Sequence, residues 1–539
     1  MQARHMVPSK SMRSLKAPAA AEKIVVVGAG VGGLACAIDL AAAGRCVTVL
    51  DRAPRSGGRL RDVCVGGASV DSGPTVFTLR GVFDDLFDRA GDRLDRHLTL
   101  TRLDRLARHA WPDGTALDLF SDIDRSEAAI GEMAGAAEAR GYRAFCAESR
   151  RIFETLERPY LRRPQTSPTG LAVRVGLHRL GDLLAIRPFE TLWDAVGRHF
   201  SDARLRQLFA RYATYCGSSP FAAPATLMLV AHVEREGVWV VEGGMQRLAE
   251  ALEALARRLG VVFRHDAEVT SIGVTFGRAA GVTTADGDWT PAERVVVNAD
   301  VQALAQGAFG PIAAAAVSAR PATARSLSAL TWSMTAATGG FALGRHNVFF
   351  SSDYRAEFDD IGRRDRLPGE PTVYVCAQDR EGGGGSSPQG PERLLLLVNA
   401  PANGDRRNLD PGDIAACEKR VKDHLARCGL TVGPMGSPAL VTTPTDFHRA
   451  FPGAGGALYG TATQGWRSTF LRPGSRTRLP GLYLAGGGAH PGPGLPMAAL
   501  SGRLAASRVM ADQDSTRSWA PAATLGGIWT RSATTDVPA

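Results

Sequence analysis

Three glycines carry the first chemical signal. Gly28, Gly30 and Gly33 stand in a G-x-G-x-x-G array within Gly28-Ala29-Gly30-Val31-Gly32-Gly33, directly after the apolar run of residues 24–27. The first glycine permits a tight turn. The second lets a pyrophosphate approach backbone N–H groups, and the third lets helix and strand pack closely. Val31 and Gly32 complete the loop at the positive end of the helix that follows, where an anion is stabilised. Asp51 closes a second apolar run, where a carboxylate accepts hydrogen bonds from ribose hydroxyls. An acid at that point repels the 2′-phosphate of NADP. The pattern predicts a dinucleotide site.

That site needs a β-α-β unit to position it. The sequence predicts a strand over 24–27, a small-residue helix over about 32–43 capped by Gly44, and a parallel strand over 47–50. Residues 120–235 read as mostly helical, with Arg- and Ala-rich amphipathic stretches. Strands return over 238–241, 261–265, 269–272 and 294–298. Residues 330–400 alternate like antiparallel strands (335–343, 372–376, 394–398), with a Gly-rich loop over 381–391. A last strand over 481–484 leads to a Gly/Pro turn and a helix over about 498–510. The fold class is therefore α/β: a Rossmann-like dinucleotide domain with an inserted mixed-sheet and helical domain. The expected segments are a disordered extension (1–22), cofactor-binding parts (23–119, 237–310 and 479–512), a helical substrate and membrane-contact region (120–236), a substrate sheet (311–478) and a loose tail (513–539).

Composition bounds the rest. The 539 residues, 44% hydrophobic and 22% charged, suit a soluble chain of roughly two to four domains and exclude long disorder, collagen-like repeats and a small disulfide scaffold. No run reads as a transmembrane helix. The balance of 63 basic against 54 acidic residues gives a net charge of +9, too mild and too dispersed to predict a nucleic-acid partner. Only five of the basic residues are lysines, the bias of GC-rich coding, which points to a bacterial source. Eight scattered cysteines without a C-x-x-C fit a reducing cytosol, and neither a zinc site nor a dithiol motif is expected. Residues 1–22 are basic but lack an apolar core, so they are not a secretory signal. A transit peptide and an extended start before Met6 or Met12 both fit them.

A second motif separates the candidate dinucleotides. Arg52 follows Asp51, and Arg55-Ser56-Gly57-Gly58-Arg59 then reads R-x-G-G-R. This resembles the second signature of the large FAD-dependent superfamily of amine oxidases and phytoene desaturases, and implies FAD, with Arg59 near the pyrophosphate. The resemblance continues to about residue 510. Asp71-Ser72-Gly73-Pro74-Thr75 is similar to the D-x-G-P-T segment that passes the flavin ring. Trp239–Met245 (WVVEGGM) resembles a strand-to-helix G-G-M element. His265–Ile272 (HDAEVTSI) resembles the strand whose backbone brackets adenine, here at Val269, and Val296–Asp300 (VVNAD) the end of the Rossmann-like domain. The ending from Gly486-Gly487 through His490-Pro491-Gly492-Pro493-Gly494-Leu495-Pro496-Met497 is similar to the carotenoid desaturase signature G-x-x-T-H-P-G-x-G-I-P-G, with Ala489 in place of Thr and Met497-Ala498 in place of Gly. Pro496 suits the first turn of a helix, where its missing N–H costs nothing. The remaining N–H groups of that turn would face the flavin pyrimidine. The block RHNVFFSSDYRAEF from Arg345, then PTVYVCAQDR and LLLLVNAP, resembles the branch acting on hydroxylated carotenoids, the 1-hydroxycarotenoid 3,4-desaturases.

The resemblance implies desaturation of a long polyene. Hydride leaves an allylic carbon for the flavin and a proton leaves its neighbour. The conjugated chain delocalises the cation, so no strong base is needed and no catalytic residue is assigned. His490 is the histidine nearest the flavin motif, with a structural role favoured over a catalytic one. Oxygen and a quinone both remain open as electron acceptor. Phytoene desaturase, ketolase and polyene isomerase activities are the alternatives within the enzymes. A prenyl-lipid binder like the Rab GDP-dissociation inhibitors is the alternative outside them. A polyene must leave a bilayer, and residues 158–187 offer the expected peripheral contact on the inner face of the membrane. They carry six Arg against one Asp, interleaved with Leu171, Val173, Val175, Leu177, Leu180, Leu183, Leu184 and Ile186. A core helix with a solvated basic face fits that stretch equally.

Overall fold

The strand Lys23–Val27 is β-branched at every position after its lysine, and it lies at the centre of a five-stranded parallel sheet. A strand buried on both faces needs such a run. In the computed structural model, which describes residues 22–176, 180–380, 390–433, 439–517, 522–523 and 529–530, the sheet order is Leu482–Leu484, Arg294–Val297, Lys23–Val27, Cys46–Leu50, Val262–Arg264. Ile24 and Val26 face one core, under the helices Val31–Ala42, Gln246–Arg258 and Leu495–Arg517. Val25 and Val27 face the other, covered by the antiparallel strands Val269–Thr275, Arg278–Thr284 and Trp289–Pro291. Strands more than 450 residues apart, Lys23–Val27 and Leu482–Leu484, thus share one sheet, which brings early and late sequence motifs together.

A second sheet has seven strands, in the order Ala439–Thr442, Ser328–Ala336, Glu392–Ala400, Val373–Ala377, His346–Phe349, Arg105–Ala110, Ala116–Phe120. All its pairs are antiparallel except His346–Phe349 with Arg105–Ala110. The last two strands, grouped by sequence with the first cofactor segment, hydrogen-bond into this sheet. The strand expected over 335–343 is instead Ser328–Ala336, followed by the short Thr338–Gly340. All but one of its nine residues are buried, so the two-residue alternation that reveals a half-exposed strand is missing.

Helices Ile123–Ala134 and Ala136–Leu156 and a series of shorter ones up to Leu229–Glu236 form a third body with its own apolar core. The last helix starts at Leu495 and runs to Arg517, beyond the expected end and into the expected tail. The expectations for residues 1–21, for the loop over 381–389 and for most of the tail lie outside the described residues. Among the described residues no helix is long and apolar enough to cross a membrane.

Candidate active site

The glycine loop is shaped by contacts that leave no room for side chains. Gly28 has a φ of +101°, and a Cβ there would lie 2.8 Å from the Asn298 carbonyl oxygen. At Gly30 and Gly32 a Cβ would meet the Asn298 side chain at 2.8 and 2.7 Å, and at Gly33 the Gly28 carbonyl oxygen at 2.0 Å. Asn298 therefore underlies the whole loop, and its Nδ2 donates to the Gly28 carbonyl at 3.3 Å. The helix Val31–Ala42 has Gly30 at its N-cap, no capping side chain and no acid in its first turn. Among the described residues its leading N–H groups have no anionic partner, which is the requirement for binding an external phosphate. Val31 and Gly32 are buried in that first turn.

The Asp51 carboxylate sits against the same loop. It accepts the Ala29 N–H at 2.6 Å and the Ala53 N–H at 2.8 Å. Val269 is buried in the core beside Leu50, and the segment leading into it donates an N–H from Ala267 to the Asp51 carbonyl. Arg52 reaches outward to the carbonyls of Arg449 and Ala450 and to Glu268.

The other cofactor motifs stack onto this loop. Gly57 donates its N–H to the Ala29 carbonyl at 2.9 Å, and Gly58 lies against Gly30. Both have positive φ, at +132° and +60°. A Cβ at Gly73 would meet the Arg59 carbonyl oxygen at 2.0 Å, so the segment with Pro74 and Thr75 runs directly beside the R-x-G-G-R turn. Arg59 spans to the far side: its guanidinium donates to the carbonyls of Leu458 and Ala457, stacks 5.2 Å over Phe451 and lies 3.9 Å from Asp300. A cavity of about 370 Å³, lined in part by Asp300, Gly460, Thr461 and Gly488, adjoins it.

The C-terminal ending closes the arrangement. A Cβ at Gly486 (φ +102°) would lie 2.6 Å from Asn298 Oδ1. Gly487 offers its carbonyl to Arg472, a buried arginine that also donates to the Thr461 carbonyl. Pro496 is the second residue of the helix Leu495–Arg517, within the first turn as expected. Met497 and Leu79 pack against both the cofactor-fold core and the helical core, so they mark the seam between the two.

His490 is 1% exposed. Its Nε2 faces the carbonyls of Tyr160 and Arg163 at 3.0 and 2.9 Å, and its ring packs edge-on against Tyr160. Two acceptors on one nitrogen assign the proton to Nε2. Burial pushes its pKa down to about 4, with the two carbonyls acting in the opposite direction. A neutral imidazole with its proton held by backbone is a brace. It ties the C-terminal ending to the start of residues 158–187.

Sequence reasoning missed three residues here. Asn298 lies within the quoted VVNAD segment, and three glycine positions and Gly486 depend on it. Gln378 brackets the peptide of Asp71 with two hydrogen bonds of 2.9 Å. Arg472 carries no local motif at all.

The polar groups present fit a flavin dinucleotide: the donors of an uncapped helix N-terminus behind a glycine turn, an acceptor carboxylate at the end of the second strand, and an arginine within the stacked motifs. Comparison with known proteins agrees. Residues 31–510 match the model of the flavin containing amine oxidoreductases. The chain is 52% identical to a hydroxyneurosporene desaturase of Rubrivivax gelatinosus, over 96% of this chain and 99% of that protein. It is 45% identical to a hydroxyneurosporene desaturase of Cereibacter sphaeroides, over 91% and 98%. Among solved structures, cyclohexylamine oxidase of Brevibacterium oxydans shares the fold, with a TM-score of 0.53 and 17% identity over 92% of this chain and all of that one. The cofactor is FAD, and the chain is an oxidoreductase. It belongs to the flavin-containing amine oxidoreductase family.

Proposed function

We propose that the protein is an FAD-dependent desaturase that forms the C3–C4 double bond of a 1-hydroxy or 1-methoxy carotenoid during carotenoid biosynthesis. The observation that carries this reading is the 52% identity to a hydroxyneurosporene desaturase, which extends over cofactor motifs and substrate side alike. FAD supplies two-electron acceptance, which loss of hydrogen from two adjacent carbons requires. The residues that would hold it are the loop Gly28 to Gly33, Asp51, Arg52, Gly57 to Arg59, Gly73 to Thr75, Val269, Gly486, Gly487, Pro496 and Met497.

The chain's own contribution is placement and dryness. Leu79 and Met497 present apolar surface at the seam, which keeps water from adding to a cationic polyene. The free N–H groups in the first turn of the helix Leu495–Arg517 would stabilise negative charge beside them. His490 is not the proton acceptor in this reading, because burial of its ring, free Nδ1 included, holds its pKa down to about 4 and disfavours the imidazolium.

Entry from a bilayer is assigned to a patch that residues 158–187 only partly supply. Val173 is 72% exposed, Leu184 70%, Phe189 70% and Leu471 53%. Phe189 packs edge-on against Trp466 at 5.3 Å. The 465–471 helix is fastened to this region by Tyr160 and Gln165, which donate to the carbonyls of Thr469 and Phe470. Exposed Arg158, Arg163, Arg174 and Arg467 lie in the same segments. Apolar side chains that dip, flanked by arginines at headgroup level, suit a peripheral contact.

The test is incubation of the FAD-loaded protein with liposomes and either a 1-hydroxycarotenoid or phytoene. Polyene absorption and product mass are followed in air, and under nitrogen with a quinone. A red shift with loss of two hydrogens from the hydroxycarotenoid alone is expected, and the gas dependence names the electron acceptor. Turnover of phytoene alone, or neither substrate changing, overturns the reading.

A further inference from the structure

Arg211 is a buried-side cation without a carboxylate of its own. Among the described residues no Asp or Glu lies within ion-pair distance of it, and its side-chain hydrogen bond is to the Tyr215 phenol at 3.3 Å. The guanidinium lies over two rings, 5.3 Å from the centre of Tyr215 and 5.8 Å from that of Tyr374. Tyr215 donates onward to Glu234 at 2.9 Å, and Tyr212 donates to the other oxygen of the same carboxylate. Arg211 also acts on Glu234 through space, lowering a pKa that burial raises. Its charge is thus balanced at one remove. What remains is a fork of N–H donors, five in all, of which the chain uses few. With Glu234 beyond Tyr215 to offset the charge, these donors can serve a neutral oxygen acceptor.

The surroundings point the same way. Arg211, Tyr215 and Tyr374 lie deep in the protein yet keep part of their surface accessible, as side chains lining an internal cleft do. The Tyr374 phenol lies 2.7 Å from Thr75 Oγ1 and 2.7 Å from His346 Nδ1. Tyr374 is therefore one hydrogen bond from the segment assigned to the flavin. The Tyr354 phenol is buried, has no hydrogen-bond partner among the described residues and is within electrostatic reach of Arg211. Burial of an unpaired phenol is costly unless a ligand completes it. Arg211, Tyr215, Tyr374, His346 and Thr75 thus form one connected polar group, and its two tyrosines pack against the helical core that Leu79 and Met497 also meet.

We infer that Arg211, held over Tyr215 and Tyr374, binds the oxygen at C1 of the polyene, and so sets which end of the substrate, and which carbon pair, reaches the cofactor. This rests on the reading under Proposed function. C1 lies two bonds from C3, so a donor beside the cofactor fixes the register of an otherwise slippery chain. A hydroxyl and a methyl ether both accept from Arg211. A polyene lacking the oxygen leaves the spare N–H groups of the guanidinium unpaired, and sites built to bond a hydroxyl reject such analogues strongly.

The experiment compares a 1-hydroxycarotenoid with the same polyene lacking the hydroxyl, in wild type, Arg211→Leu, Arg211→Lys and Tyr374→Phe. Binding is read without oxygen from the shift in polyene absorption, and turnover as kcat/KM, each at matched flavin content. Wild type is expected to favour the hydroxylated polyene by about 100-fold or more. Arg211→Leu is expected to bring the ratio to within about threefold of unity. Tyr374→Phe, which keeps the ring, should lower it by about tenfold, and Arg211→Lys should restore part of it. An unchanged ratio in Arg211→Leu and Tyr374→Phe, or equal binding of both polyenes by wild type, overturns the inference. Preferential binding without desaturation overturns the proposed function and leaves the oxygen site standing. Desaturation of both polyenes at equal rates does the reverse.

Discussion

Both carboxylate oxygens of Asp71 accept the backbone N–H of Met245, each at 3.0 Å. The two residues are 174 positions apart, and the bond ties the segment assigned to the flavin ring to the start of the helix Gln246–Arg258. Gln378 fastens the same residue to the second sheet. Asp71→Leu removes the acceptor while the Met245 N–H stays buried, a loss of about 1.5–3 kcal/mol for a bond to a charged group. The variant should purify with less flavin and melt earlier, whereas Asp71→Asn, which keeps an acceptor oxygen, should lie close to wild type. Flavin absorbance and thermal unfolding read both. A flavin-replete Asp71→Leu with an unshifted Tm would show that Asp71 does not anchor this segment.

Gly502 sits where the last helix crosses the first. A Cβ there would lie 2.0 Å from the Gly32 carbonyl oxygen, and backbone cannot yield as a flexible side chain can. Gly502→Ala should cost about 1–3 kcal/mol through overpacking and should weaken flavin retention, because it presses on the helix Val31–Ala42, whose leading N–H groups are the ones proposed to face the phosphate. Gly81→Ala is the control, since nothing lies within 4 Å of the added carbon. Equal Tm values for the two variants would refute the close crossing.

Three of the five buried histidines among the described residues set the acid limit most strongly. Burial pushes His490 down to about 4 and His109 and His346 down to about 3, the latter two helped by nearby arginines. A histidine depressed in the folded state binds its proton more readily once unfolded. Stability from these residues is therefore complete above their ordinary pKa of about 6.5 and is lost as pH falls towards 4 and then 3. Tm should decline through that window, and the decline should be shallower in His490→Gln. The pH profile of kcat should show no inflection that vanishes in His490→Gln. An inflection near neutrality that this substitution abolishes would restore His490 as a proton carrier.

The exposed patch can be probed residue by residue. Leu183 packs against the helical core, whereas Leu184 is open to solvent. Leu184→Glu and Phe189→Glu should each reduce sedimentation with anionic liposomes several-fold at unchanged flavin content. Leu183→Glu should instead lower Tm. If Leu184→Glu with Phe189→Glu binds vesicles as wild type does, this face is not the bilayer contact.

The sequence by itself determined the cofactor side. A dinucleotide is gripped by backbone groups in short contiguous turns, and such turns demand glycine, proline or a carboxylate at fixed spacing. The motifs from Gly28 to Pro496 were therefore legible one at a time, as were the parallel strands that deliver them. What no spacing carries is which distant side chains meet. Only the tertiary structure placed Asn298 beneath three glycines and Gly486, and tied His490 to the backbone of Tyr160 and Arg163. It alone brought Arg211, Tyr374 and Thr75 together from three segments, and put Phe189 against Trp466 across 277 residues. It also seated Arg105–Ala110 in the second sheet and buried Ser328–Ala336 on both faces, where alternation cannot appear. Local pattern records which face of an element is apolar. The partner of that face is settled by packing across the whole chain, and the candidate substrate site is built from such partnerships.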